Sequence, residues 1–155
     1  MSGKLAAELK QGKPFASLEH EALLNLAKTA SVLGQAEAAM LKPFDLSPAQ
    51  YNVLRILKGA GEGGRNCQEI GERLVAKDPD ITRLIDRLMD RGLVTRSRSE
   101  EDRRVVVTRI TRDGAALLAK IAPHEEALPR ELLGRLGRRK LETLIELLEE
   151  AREKS

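Results

Sequence analysis

A cluster of arginines carries the most distinctive chemistry in this sequence. Arg83 and Arg87 lie four residues apart in ITRLIDRLMD, so on a helix they share one face. Arg96, Arg98, Arg103 and Arg104 follow within RSRSEEDRR. A guanidinium offers its donors as a planar fork, which suits phosphate oxygens and the paired acceptors on the edge of guanine. With the Thr82 hydroxyl beside them, these arginines point to contact with duplex DNA. The competing reading is a solvated surface, because Asp86, Asp90, Glu100, Glu101 and Asp102 offset much of that charge.

The elements that must position these residues follow from spacing. Ile81, Leu84, Ile85 and Leu88 form the stripe of an amphipathic helix. Asp78 is expected to cap it, with Pro79 at the first helical position, where a missing N–H costs nothing. Gly92 provides a stop, and Arg87 and Arg91 suit the negative end of the dipole. The outward face then carries Arg83, Asp86, Arg87 and Asp90, with Thr82 at its margin. Asn66 or Cys67 opens a shorter helix ahead of it, with Ile70 and Leu74 inward. Gly71 lets the two helices approach closely, while Val75-Ala76-Lys77 lacks a glycine and predicts a loose junction. Behind, Leu93-Val94-Thr95 starts a strand and the β-branched run from Val105 to Ile110 returns it. The polar stretch from Arg96 to Arg104 forms the tip, where Asp102 braces the Arg104 guanidinium by a charge-assisted hydrogen bond. Residues 68–111 thus read as a helix-turn-helix carrying a β-hairpin wing. Such a tip straddles phosphates or pushes a guanidinium into the minor groove.

ITRLIDRLMDRGLVTR followed by EDRRVVVTRITRDG resembles the MarR family of bacterial transcription regulators. The family's wing signature is Asp-x-Arg a few residues before a Leu-Thr or Ile-Thr pair, matched by Asp102, Arg104 and Ile110-Thr111. LSPAQYNVLRIL, Leu46 to Leu57, resembles the helix that leads into the family's helix-turn-helix. The resemblance covers the chain from about Leu18 to the C-terminus. It implies first and last helices that interlock across a two-fold axis. It also implies small phenolic or lipophilic ligands bound between the dimer helices and the DNA-binding lobe. Tyr51, Phe44 and the helix after Ser17 stand in suitable places, although the same residues serve equally well as core.

The remaining elements can be placed from apolar spacing and breakers. Residues 1–16 are expected to form a mobile arm or a small partner-contacting piece. Ser17 caps a helix from Leu18 to Leu41, although Glu21 falls one residue late for a capping box. Its apolar positions, including Leu18, Leu26, Leu33 and Met40, exceed what one packing face needs, which suggests contact with a second subunit. Pro43 ends that helix, and Ser47-Pro48 begins another with Tyr51, Leu54 and Leu57 on its buried side. Gly59 to Gly64 reads as a flexible loop. Thr111 caps a helix through Gly114, Leu117, Leu118 and Ile121, which Pro123 interrupts or kinks before His124 to Leu128 continue. Leu141, Leu144, Ile145 and Leu148 stripe a last helix.

Composition narrows the alternatives. The chain of 155 residues suits one domain, and with aromatics at 2% the core must be Leu, Ile, Val and Ala. A net charge of +3 and a pI near 9.2 permit nucleic-acid binding without demanding it. No apolar run approaches the ~18 residues of a membrane span. The N-terminus lacks a secretory pattern and the lone Cys67 cannot form an intramolecular disulfide, so a cytoplasmic protein is expected. Cys67 at a helix start near Arg65 has features of an oxidant sensor. With no second cysteine to resolve it, a packing thiol is the better reading. His20 and His124 have no companions at metal-ligand spacing, so neither a metal site nor a cofactor is expected. No phosphate loop, Ser–His–Asp set or paired carboxylates stand out, so no catalytic residues are assigned and an enzyme is not expected.

These readings predict a mainly α fold with a small β-hairpin in a single domain over 1–155. A winged helix-turn-helix lobe spans 47–111, with dimerisation helices over 17–42 and 112–155. The expected function is a homodimeric, ligand-responsive repressor on a pseudo-palindromic operator in double-stranded DNA. Thr82, Arg83, Arg87, Arg98, Asp102, Arg103 and Arg104 are its expected DNA-binding residues. The alternatives are a winged-helix protein-interaction module without specific DNA binding and a DNA-binding activator.

Overall fold

The computed structural model describes residues 3–153. In chain order it contains α1 (Lys4–Glu8), α2 (Leu18–Leu41), α3 (Pro48–Ala60), α4 (Cys67–Arg73), α5 (Ile81–Asp90), β1 (Val94–Arg98), β2 (Val106–Ile110), α6 (Arg112–Leu133) and α7 (Gly137–Arg152). Short 3-10 turns occupy Lys42–Phe44, Gly61–Gly63 and Gly134–Leu136. The fold is mainly α with one antiparallel hairpin, as the apolar periodicities require.

Capping chemistry sets where the lobe's helices begin. Ser47 Oγ accepts from the Gln50 N–H at 3.1 Å, and Gln50 Oε1 accepts from the Ser47 N–H at 3.0 Å. Asn66 and Glu69 repeat this reciprocal box at the start of α4, both bonds at 2.9 Å. Each box satisfies two amides that the first helical turn would otherwise leave unpaired. Leu54 and Leu57 of α3, Ile70 of α4, Ile85 and Leu88 of α5 and Ile121 of α6 have no exposed surface and form one core with Leu41. Gly71 allows the close approach of α4 and α5 there: a Cβ at that position would lie 2.8 Å from Ile81 Cδ1, and the isoleucine side chain would have to shift. Gly114 is required for a second close approach. Its Cβ would fall 2.3 Å from the Leu93 carbonyl oxygen, where the start of α6 meets the start of β1.

Two boundaries differ from the sequence expectation. The stretch from Gly59 to Gly64 is not a loop throughout: α3 continues to Ala60 and a 3-10 turn follows. Helix α6 runs through Pro123 and Pro129 as one element. An internal proline removes a single amide from the ladder and leaves the i−4 carbonyl without its partner, while the bonds on either side carry the helix onward.

The terminal helices are poorly covered. Ser17 caps α2 through the His20 N–H at 3.1 Å, without the box. Along α2, Leu18, Leu23, Leu26 and Val32 are exposed, and on α7 Ile145 and Leu147 are exposed. Of the last helix's predicted stripe, Leu141, Leu144 and Leu148 are half-buried. The chain exposes 11797 Å². A compact monomer of this mass would expose about 7,800 Å². In the N-terminal segment, Leu5 of α1 is buried, and the Phe15 ring stands edge-on to His20 with centroids 6.2 Å apart. No described helix is long and apolar enough to cross a membrane.

Candidate nucleic-acid interface

Helix α5 is built as its stripe predicts, but it starts two residues later than expected. Asp80, not Asp78, is the cap: Asp80 Oδ1 accepts from the Arg83 N–H at 3.1 Å. Asp78 acts one step earlier, accepting from the Asp80 N–H at 2.8 Å, so Pro79 lies in the approach to the helix. Both aspartates have capping chemistry, and the helix begins directly after the second of them, at Ile81. The C-terminal end closes as a Schellman motif. Gly92, at φ 69°, donates to the Met89 carbonyl at 2.9 Å, and Leu93 donates to the Leu88 carbonyl at 3.0 Å. Ile85 and Leu88 are buried, which leaves Thr82, Arg83, Arg87 and Asp90 exposed.

The wing pairs Val94 with Ile110 through to Arg98 with Val106. Arg65 extends the hairpin by one residue on the β2 side, exchanging backbone bonds of 3.0 and 2.8 Å with Thr108. That bridge anchors the wing to the start of α4. Val94, Val107 and Thr108 are buried at the wing's base, while its outer half is exposed.

The tip is shorter and more ordered than a polar loop from Arg96 to Arg104, because Arg96 and Arg98 belong to β1. Ser99 donates to the Val105 carbonyl at 2.8 Å, and Val105 donates to the Asp102 carbonyl at 3.0 Å. The Asp102 carboxylate accepts from the Arg104 N–H at 3.0 Å and lies 3.6 Å from its Nε. Asp102 therefore organises the turn as well as facing the guanidinium. The Arg104 side chain is 94% exposed. Arg98 Nη1 donates to the Arg103 carbonyl at 2.7 Å, which engages one edge of its guanidinium with the tip itself.

Arg96 and Asp86 join the two groups of exposed arginines. Arg96 Nη2 donates to Asp86 Oδ1 at 2.5 Å. Asp86 is accordingly half-buried and does not belong to the free outer face of α5. The sequence reading passed over this pair. The signal lay in strand alternation: once β1 starts at Val94, Arg96 faces the same way as that buried valine. Arg109 was also passed over. It donates from Nε to the Glu62 carbonyl at 2.8 Å and from Nη1 to Ser97 Oγ at 2.7 Å, bracing the wing's two strands.

The other candidates for chemistry lie elsewhere. Cys67 is half-buried in the first turn of α4. The Tyr51 phenol lies near the Glu125 carboxylate of α6, and Arg55 Nη1 lies 3.7 Å from Glu125 Oε2. Burial, followed by the Glu125 carboxylate, pushes the phenol up to about 12. Among the described residues no group of three or more His, Cys, Asp and Glu side chains is placed to hold a metal ion.

A helix-turn-helix with an arginine-bearing second helix, tied to an arginine-tipped hairpin, defines a winged-helix DNA-binding protein. Comparisons with known proteins narrow that class. The MarR family model matches residues 46–106. The HTH-type transcriptional regulator MhqR of Bacillus subtilis (strain 168) is 32% identical over 103 residues, 66% of this chain and 70% of the relative. A crystal structure of a MarR transcription factor from Planctomyces limnophilus is 41% identical with a TM-score of 0.67, covering 88% of this chain and 98% of that one. A mutant MarR from E. coli complexed with operator DNA is 25% identical with a TM-score of 0.78, over 89% of this chain and 100% of that one. The chain belongs to the MarR family of DNA-binding transcription regulators.

Proposed function

We propose that the protein acts in the cytoplasm as a homodimeric, effector-responsive repressor on a pseudo-palindromic operator. The observation that carries this reading is the Asp86–Arg96 bridge, which fixes the exposed arginines of α5 against the arginine-bearing wing. Helix α5 enters the major groove, where Arg83 and Arg87 meet base edges or adjacent phosphates and Thr82 assists. Arg104, held by Asp102, lines the minor groove, and Arg98 and Arg103 hold phosphates. The E. coli neighbour in complex with operator DNA supports the same use of this fold.

Residues 17–42 and 112–153 form the dimer interface, the last two residues of the expected 112–155 span lying outside the described residues. The uncovered leucines of α2 and α7, with the large exposed surface, support it. A stable obligate interface removes on the order of 1,000 Å² or more from each partner. Two-fold symmetry then sets the recognition helices about one helical turn apart. Repression follows where the dimer covers a promoter. A small phenolic or lipophilic effector acts by binding one spacing of the two lobes better than another. No catalytic role is assigned to any residue.

Selection of genomic fragments by the purified protein tests this reading. The expected product is an inverted repeat with half-site centres about 10 base pairs apart, or a multiple of a helical turn. Absence of an enriched sequence, or an unrepeated site bound by a monomer, would overturn it.

A further inference from the structure

The joint between α2 and α3 is gripped from two sides. After α2 the chain turns through Lys42–Phe44 and reaches Asp45, whose backbone is left-handed at φ 53°. Few residues other than glycine adopt that conformation, although aspartate tolerates it better than most. Arg91, at the end of the recognition helix, holds this turn in place. Its Nη2 donates to the Phe44 carbonyl at 3.1 Å and its Nη1 donates to the Asp45 carbonyl. From the other side the Phe44 ring meets the His124 imidazole of α6, with centroids 5.7 Å apart. Carbonyls just beyond a helix C-terminus lack intrahelical partners and sit at the negative end of the dipole, so a guanidinium suits them well.

Packing does not close the gap beside this clamp. An open cleft of about 740 Å³, lined by Ala38, Lys42, Ser47, Gln50, Arg87 and Arg91, lies between the joint and the recognition helix. On this side the Arg91 hydrogen bonds bridge the joint to the end of α5, beside the apolar core that Leu41 and Leu46 share with Ile85 and Leu88.

We infer that Arg91 is a positioning residue for operator recognition. Its paired bonds lock the α2–α3 joint onto the C-terminal end of α5, and so set where the recognition helix stands relative to the helix that dimerises. In a two-fold dimer a change of angle at this joint moves both recognition helices at once and mismatches them to grooves one turn apart. The consequence for DNA rests on the operator-binding reading above; the consequence for the joint does not.

The test compares the full chain with Arg91→Ala and Arg91→Lys. In free protein, hydrogen exchange of residues 41–48 is followed with residues 115–122 of α6 as the control. Arg91→Ala is expected to speed exchange at 41–48 and leave 115–122 unchanged. Its operator dissociation constant should rise roughly tenfold, the loss of about one charged hydrogen bond. The slope of log affinity against log salt should stay that of the wild type. Lysine keeps the charge but not the two-pronged fork, so Arg91→Lys should recover only part of the affinity. Unchanged exchange at 41–48 overturns the clamp, and so does equal acceleration in both segments. A salt slope shallower by about one, with Arg91→Lys binding like the wild type, would instead mark a phosphate contact. If the wild type binds no operator, the DNA reading fails and the exchange result alone decides the clamp.

Discussion

Arg96 of the first wing strand donates to Asp86 of the recognition helix at 2.5 Å, across ten residues of sequence. Both side chains are partly exposed, so the pair contributes at most about 1 kcal/mol to stability. Its larger effect should be on DNA, because it fixes the angle between wing and helix. A double-mutant cycle of Arg96→Ala and Asp86→Asn should give a coupling in operator binding that exceeds the coupling in urea unfolding. Additive losses in binding would show that wing and helix act independently.

Arg104 is exposed at the wing tip, with its Nε 3.6 Å from the Asp102 carboxylate. Arg104→Ala should weaken operator binding by more than about 1 kcal/mol and relax preference at the positions under the wing. Titration of the variant against operators altered only at those positions checks both effects. An unchanged affinity would remove Arg104 from the minor groove.

Tyr51 is 7% exposed, and its phenol is pushed up to about 12 from the usual 10.0. The fold therefore holds that proton more tightly than the unfolded chain does. Its contribution is complete below about pH 10 and declines as pH rises from there towards 12. The chain has one tyrosine and no tryptophan, so tyrosinate absorbance reports this group alone. A native-state midpoint near 10 would show that the hydroxyl is not held between α3 and α6.

Leu23 of α2 and Ile145 of α7 are 63% and 54% exposed. Covering such side chains contributes about 1.5–3 kcal/mol each, so charging both should be decisive for assembly. The double variant Leu23→Glu, Ile145→Glu should sediment as a monomer at concentrations where the wild type is a dimer. A wild-type monomer, or a variant that still pairs, would contradict the assigned interface.

Local chemistry made most of this molecule readable from its residues. The stripe of Ile81, Leu84, Ile85 and Leu88 located α5, Ser47-Pro48 located α3, and the β-branched run after Arg104 located β2. Reading became unreliable where two residues offered the same local chemistry, as Asp78 and Asp80 did for one cap. Of the two outcomes left open at Pro123, interruption does not occur, because one lost hydrogen bond does not end a helix whose flanking turns are intact. Contacts between elements were the least legible. Arg91 facing the Phe44 and Asp45 carbonyls has no signature in sequence spacing, and strand alternation turns Arg96 inward without naming Asp86 as its partner. Such pairs depend on how α5 sits against β1 and against the α2–α3 joint.

Fluorescence anisotropy against DNA upstream of the protein's own coding region, with scrambled DNA as control and several salt concentrations, tests the central claim most directly. The account predicts tight, sequence-selective binding whose logarithm falls with log salt by roughly 0.9 for each phosphate neutralised. If that region lacks the operator, the inverted repeat from fragment selection takes its place in the same assay. Equal and weak binding to that repeat and to scrambled DNA would contradict the account.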